Sequence, residues 1–187
     1  MYFIMETLKR FGTISEQARI VLAEVITKRS LPKGTLLLEQ GKTCKYLNFM
    51  ESGFARAYYY REGKEITSWF AFENDIVASM YSFTAQKPSY ENIEIMENCV
   101  LHSIHFDQLQ QLYKEYPEFN LIGRLLIEKY FVELEERIFS LQIQSAKERY
   151  KEILNNHPEL LKRASLGHIA SYLGISQETL SRIRANI

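Results

Sequence analysis

Residues 165–187 read SLGHIASYLGISQETLSRIRANI, and two short helices joined by a tight turn account for the whole stretch. Ser165 is placed to cap the first helix, whose apolar face is Leu166, Ile169, Ala170 and Leu173 at three- and four-residue spacing. Gly174 supplies the positive φ that ends a helix without a steric penalty. Ser176 is a suitable cap for the second helix, because its hydroxyl can accept from free amides of the next turn. Ile175 and Leu180 flank that cap as a hydrophobic staple. Leu180 and Ile183 then point inward, which leaves Gln177, Glu178, Ser181, Arg182 and Arg184 outward. Side chains of those types hydrogen-bond to base edges and phosphates. The spacing predicts a helix-turn-helix with its second helix starting near Gln177. An ordinary helical hairpin with a solvated polar face has the same apolar spacing, so the pattern leaves both readings open.

Upstream the period changes twice. The spacing predicts a helix over 15–28, capped by Thr13 or Ser15, with Ala18, Val21, Leu22 and Val25 buried. Leu31-Pro32-Lys33-Gly34 breaks it. From Thr35 to about His105, runs such as YLNFM, FARAYYY and EITSWFAF alternate with turn signals, which argues a compact antiparallel β domain. Arg61-Glu62-Gly63-Lys64 is placed as a hairpin turn. Two more strands are expected at 92–96 and 100–105. A short helix follows from Phe106, and Pro117 opens a long one running to about Gln142. Its stripe is Ile122, Leu126, Tyr130, Leu134, Ile138 and Leu141, and Leu121, Leu125 and Val132 make a second apolar side. Both sides must be buried, either within one chain or against a second. A basic helix over 147–154 leads to the terminal module.

Composition narrows the function class. The 187 residues are 46% hydrophobic and 25% charged, with no apolar run long enough for a bilayer. The opening MYFIMETLKRF lacks a cleavage site, so a cytoplasmic protein with no membrane partner is expected. Net charge is zero, yet from Ser145 onward seven Lys or Arg face four Glu, roughly +3, against roughly −3 for the remainder. A basic end on an acidic body fits a DNA-reading module. Cys44 and Cys99 are too few and too far apart for a metal-ligand pattern. His102 and His105, three apart in a predicted strand, fall on opposite faces and cannot chelate one ion. No phosphate-cradling glycine loop, Ser-His-Asp spacing or paired-carboxylate site is present. No metal, cofactor or enzymatic activity is expected.

LGISQETLSRIR resembles the recognition segment of Crp/Fnr-type bacterial transcription regulators, in which Ser-x-Glu-Thr-x-x-Arg recurs, here as Ser176, Glu178, Thr179 and Arg182. The β stretch resembles the family's cyclic-nucleotide-binding β-roll through Lys33-Gly34-Thr35, Gln40-Gly41, Glu51-Ser52-Gly53, Gly63-Lys64-Glu65 and Asn74-Asp75. The resemblance covers nearly the whole chain in the family's element order. It implies an α+β fold: an antiparallel, double-stranded jelly-roll-like β-roll sensor with flanking helices (1–116), a long dimerisation helix (117–144) and a helix-turn-helix (145–187). The family's β-wing is short or missing in this reading.

The function so implied is transcription regulation by a homodimer on a palindromic operator in double-stranded DNA, with RNA polymerase and an unknown small-molecule effector as further partners. Glu178 and Arg182 would read bases beside Gln177 and Ser181, while Ser176, Thr179 and Arg184 would approach phosphates. The stripe from Ile122 to Leu141 would form the dimer seam. Family members with an iron–sulfur cluster use an N-terminal cysteine group that is not found here.

In the family's effector site a Gly-Glu pair holds ribose and an Arg-Ser/Thr-Ala segment holds the cyclic phosphate. Alignment on Asn74-Asp75 puts Ala78 and Ser79, followed by Met80 and Tyr81, at the first, and Ser89, Tyr90 and Glu91 at the second. Lys87 is a poor geometric substitute for the missing guanidinium. A pocket degenerate for cyclic nucleotides is expected, either holding a less polar ligand or filled by its own aromatics. The rival function is a non-enzymatic ligand- or protein-interaction module with a vestigial DNA-binding head.

Overall fold

The computed structural model describes residues 2–186. Two compact units divide the chain, Met1–Ala57 with Phe70–Lys129, and Tyr58–Trp69 with Tyr130–Ile187. Helices α1 (Tyr2–Lys9) and α2 (Glu16–Val25) come first, followed by strands β1 (Thr27–Leu31), β2 (Leu36–Leu38), β3 (Tyr46–Ser52), β4 (Ala55–Arg61), β5 (Lys64–Ala71) and β6 (Ile76–Val77). Helix α3 (Met80–Ala85) separates these from β7 (Asn92–Ile95) and β8 (Cys99–His105). The strands form two four-stranded sheets, in the order β1-β8-β3-β6 and β2-β7-β4-β5. β8 is flanked by antiparallel partners, Thr27–Leu31 on one side and Tyr46–Met50 on the other, with a bulge before Ser52.

Helix α2 ends at Val25, three residues short of the expected Lys28. Ile26 is already extended, and Thr27–Leu31 pairs with β8. A strand without apolar alternation is stabilised here by a partner some seventy residues away in sequence. Of the two candidate caps, Ser15 is the one used, accepting from the Ala18 amide at 3.2 Å. Its hydroxyl also donates to Glu118 at 2.6 Å, which ties α2 to the start of the long helix and holds the Glu118 carboxyl below its ordinary range.

Helix α4 (Phe106–Glu115) is followed at once by α5 (Pro117–Ile143). Proline suits the first helical position, where no amide bond is lost. The beginning of α5 packs with the N-terminal helices. Ile122 is 3% exposed, and Ile4, Leu8, Leu22, Leu47, Ile104 and Leu112 are buried. This apolar layer lines a small, partly open cavity of about 40 Å³. Gly123 permits the approach of α4: a Cβ there would lie 2.5 Å from the Tyr113 hydroxyl. At Gly53, φ is +108° and a Cβ would meet Cys99 Cα at 2.8 Å and Asn98 O at 2.9 Å, so the turn between β3 and β4 requires glycine.

The second unit contains the outer part of the β4–β5 hairpin, the rest of α5, and the helices α6 (Ala146–Asn156), α7 (Leu160–Arg163), α8 (Leu166–Tyr172) and α9 (Gln177–Ala185). Ser145 and Glu148 close a capping box on α6. Among the described residues no helix is long and apolar enough to cross a membrane.

Candidate nucleic-acid interface and effector pocket

Local chemistry builds the turn between α8 and α9. Ser165 caps α8 by accepting from the His168 amide at 3.1 Å. Gly174 adopts φ +69°, with its amide bonded to Ser171 O and the Ile175 amide to Ala170 O, each at 3.0 Å. Ser176 caps α9 by accepting from the Thr179 amide at 3.2 Å. Leu180 is 1% exposed and shares a small core with Ile169, Ala170 and Leu173, together with Tyr150, Ile153 and Leu160.

The opposite side of α9 is open. Ser176, Gln177, Glu178, Ser181, Arg182 and Arg184 are exposed, and Thr179 is half-buried. Thr179 differs from the others because its hydroxyl accepts from the Arg182 guanidinium at 3.2 Å. The Ser176 hydroxyl has one proton and two acceptors in reach, Thr179 Oγ1 at 3.2 Å and the Glu178 carboxylate. The charged acceptor makes the stronger bond, and it keeps the Glu178 carboxyl below its ordinary range. Glu178 therefore presents an acceptor and Arg182 a donor fork, on neighbouring turns of one helix. Lys147 reaches the Asn186 carbonyl at 3.1 Å, at the end of α9.

Arg137 and Arg149, neither singled out by spacing, are engaged inside this unit. Arg137 donates to Tyr172 O with its guanidinium 3.8 Å from the centre of the Tyr172 ring, and burial pushes its pKa down. Arg149 donates to Leu173 O at 2.8 and 3.2 Å and to Gln144 O at 2.5 Å. Ser171 joins α8 to the hairpin, accepting from the Thr67 amide at 2.9 Å and donating to Glu65 O at 3.2 Å. Sequence spacing carried no signal for the arginines, because their carbonyl partners on α8 lie 35 and 24 residues away.

On α5 the expected stripe divides. Ile122 is buried within its own chain and so is withdrawn from the proposed seam, and Leu126 is half-buried. The corrected face begins beyond them. Tyr130, Leu134, Ile138 and Leu141 are 40–46% exposed, and Phe131, Val132, Phe139 and Ile143 are more so.

The candidate effector segment forms two contacts. Ser79 and Ser89, each 3% exposed, bring their hydroxyls within 3.2 Å, and Ser89 also bonds to the backbone of Glu91. Tyr81 and Tyr90 stack at 4.7 Å with hydroxyls 3.1 Å apart, both exposed, and this bond raises the Tyr90 pKa. Ala78 is buried, Met80 half-buried and Lys87 exposed. The histidines have local roles. His102 is stacked on Phe3 and bonds through Nε2 to Glu51 at 2.6 Å, and His105 caps α4. Lys28 first, then His102, lowers the Glu51 pKa. Among the described residues no group of three or more His, Cys, Asp or Glu could hold a metal ion.

A β-roll, a long helix and a helix-turn-helix follow one another in this chain, and this is the fold of solved Crp/Fnr-family proteins. Residues 28–116 match the family described as "Cyclic nucleotide-binding domain". The chain is similar to the "Anaerobic regulatory protein" of Haemophilus influenzae, 26% identical over 91% of this chain and 71% of the relative. Its fold is similar to that of a transcriptional regulator of the Crp/Fnr family from Eubacterium rectale, with TM-score 0.73 and 19% identity over 91% of this chain and 82% of the other. It is also similar to FixK2 from Bradyrhizobium japonicum, with TM-score 0.72 and 19% identity over 87% and 84%.

Proposed function

We propose that the protein is a DNA-binding transcription regulator that acts as a homodimer on a palindromic operator. The observation that carries this reading is the open face of α9, where Gln177, Glu178, Ser181 and Arg182 are exposed over a buried Leu180. Near the start of a recognition helix such a face meets the floor of the major groove. Arg182 suits guanine, whose two acceptors match the guanidinium fork, and Glu178 accepts from the cytosine amino group. Ser176 and Arg184 approach phosphates, while Thr179 is half-engaged with Arg182. The functional division is a sensor over 1–116, a dimer helix over 117–144 and a reading head over 145–187. Pairing of α5 through Tyr130, Leu134, Ile138 and Leu141 sets two heads one helical turn apart, about 34 Å.

The effector site lacks the charged pair that a cyclic nucleotide requires. In the alignment on Asn74-Asp75, Ser79 and Ser89 take the positions of the family's carboxylate and guanidinium, and Lys87 is exposed. A ligand, if one is used, is less polar, and it acts by shifting the population of head arrangements. The deciding experiment is selection of bound sequences from random duplex DNA. Enrichment of a palindrome with G·C pairs in each half supports the reading, and recovery of no common sequence overturns it.

A further inference from the structure

The last four carbonyls of an α-helix have no partner within it. In α8, with its C-cap at Leu173, these belong to Ala170, Ser171, Tyr172 and Leu173. The glycine turn satisfies the first two through the Ile175 and Gly174 amides, both at 3.0 Å. The other two are taken from outside the helix-turn-helix, Tyr172 O by Arg137 of α5 and Leu173 O by Arg149 of α6. Arg149 also holds Gln144 O at 2.5 Å, where α5 ends. Leu141 of α5 lies 3.8 Å from where a Gly174 Cβ would be. Three helices therefore converge on one turn, with the β4–β5 hairpin joined to it through Ser171.

We infer that Arg137 and Arg149 are positioning residues of the reading head, fixing the angle between α5 and α9. The inference rests on the DNA-reading role proposed above. Only the four residues from Leu173 to Ser176 separate α8 from α9, so the direction of the last turn of α8 passes directly to the recognition helix. A guanidinium is suited to the task. It is planar and always charged, and it holds a carbonyl while stacking on an aromatic face, as Arg137 does on Tyr172 at 3.8 Å. Two cations at a helix C-terminus also oppose its partial negative charge. In a dimer, the angle that they hold becomes the distance between the two recognition helices, and that distance selects the half-site spacing.

The test has a DNA-free arm and a DNA arm. Spin labels at Glu135→Cys on α5 and Ser181→Cys on α9 report the angle within one protomer, read by pulsed electron resonance with labelled chain diluted into unlabelled chain. Cys44 and Cys99 are buried and do not compete for label. The parent should give one narrow distance distribution. Arg137→Gln and Arg149→Gln should each broaden it, and Arg137→Lys, which keeps charge but cannot stack as a plane, should fall between. With Ser181 restored, a panel of selected operators varied by one and two base pairs between half-sites should show a sharp optimum for the parent. Arg137→Gln should flatten that optimum roughly tenfold while the dimer persists. Unchanged distances in both glutamine variants would overturn the inference, as would an affinity loss equal at every spacing. Should the parent fail to bind any duplex, the DNA-reading proposal falls, and the distance measurement still decides whether the clasp sets the angle.

Discussion

Ile138→Asp is the sharpest perturbation of the proposed dimer. Ile138 and Leu134 stand one turn apart on α5 and are 46% and 44% exposed. Covering the exposed half of each with a second copy removes about half the area of a fully buried aliphatic side chain, roughly 1 kcal/mol apiece. Over two residues in two protomers that is roughly 4 kcal/mol of association free energy. The substitution abolishes about half of this directly. It also leaves two unpaired carboxylates in the seam, whose burial costs at least as much again. The sum is about 4 kcal/mol, roughly a thousandfold in the dimer dissociation constant. Sedimentation velocity over about three decades of protein concentration reads that shift directly. Circular dichroism supplies the control, since aspartate at an exposed helical site costs only about 0.5 kcal/mol of helix propensity. A variant that remains dimeric at the parent's concentration refutes the assignment of this face. A monomeric parent would refute the dimer itself.

Cyclic AMP and cyclic GMP should show no binding heat at micromolar concentration, because loss of a buried charge-assisted pair costs about 2–5 kcal/mol; a micromolar dissociation constant by calorimetry would mean that the pocket is misaligned. Glu178 should titrate below the ordinary carboxylate value of about 4.3, since Ser176 bonds to its ionised form. A group depressed on folding stabilises above its unfolded pKa and loses that contribution as pH falls through its folded one; Ser176→Ala should move the Glu178 carboxyl midpoint upward in a carbon NMR titration, and an unmoved midpoint would break the link. Arg182→Ala should cost roughly 1–3 kcal/mol on the cognate site and relax preference at one base position per half-site, and equal loss on all sequences would make it a phosphate contact. Arg184→Ala should instead weaken every sequence alike and flatten the salt dependence.

The parts legible in sequence are those whose causes are local. Ser165, Gly174 and Ser176 specify caps and a left-handed turn through their own backbone, so α8 and α9 were placed to within a residue or two. Pro117 likewise marks the start of α5, and its apolar period carries the helix to Ile143. What was not legible depends on distant partners. Thr27–Leu31 alternates poorly and becomes a strand because β8 lies beside it. The two-residue β6 exists through its register with Asn48 and Phe49. The stripe on α5 is continuous as sequence, yet Ile122 is covered by its own chain and Ile138 is not. Periodicity reports that a face is apolar, and only the folded chain reports what covers it.

Charge counting likewise does not say which cations are placed to meet phosphates, and that bears on affinity. Seven basic residues follow Ser145, but Arg149 holds carbonyls inside the unit, and Lys147 reaches the end of α9. Arg182 is held by Thr179 with its remaining donors outward. On the acidic side, Glu148 is bound into the cap of α6. With Arg149, Lys147 and the proposed base reader Arg182 set aside, at most four of the seven remain to meet phosphates in each head, and each phosphate contact contributes a slope of roughly −0.9 in log affinity against log salt. A lone head with so few contacts binds weakly at physiological salt, with a correspondingly shallow salt dependence. Two heads on one dimer double the contacts and make the second engagement intramolecular, raising affinity without any new side chain. On the proposed reading, useful binding depends on α5 pairing and on the angle at which α9 leaves it, so residues that never touch DNA would govern how well it is read.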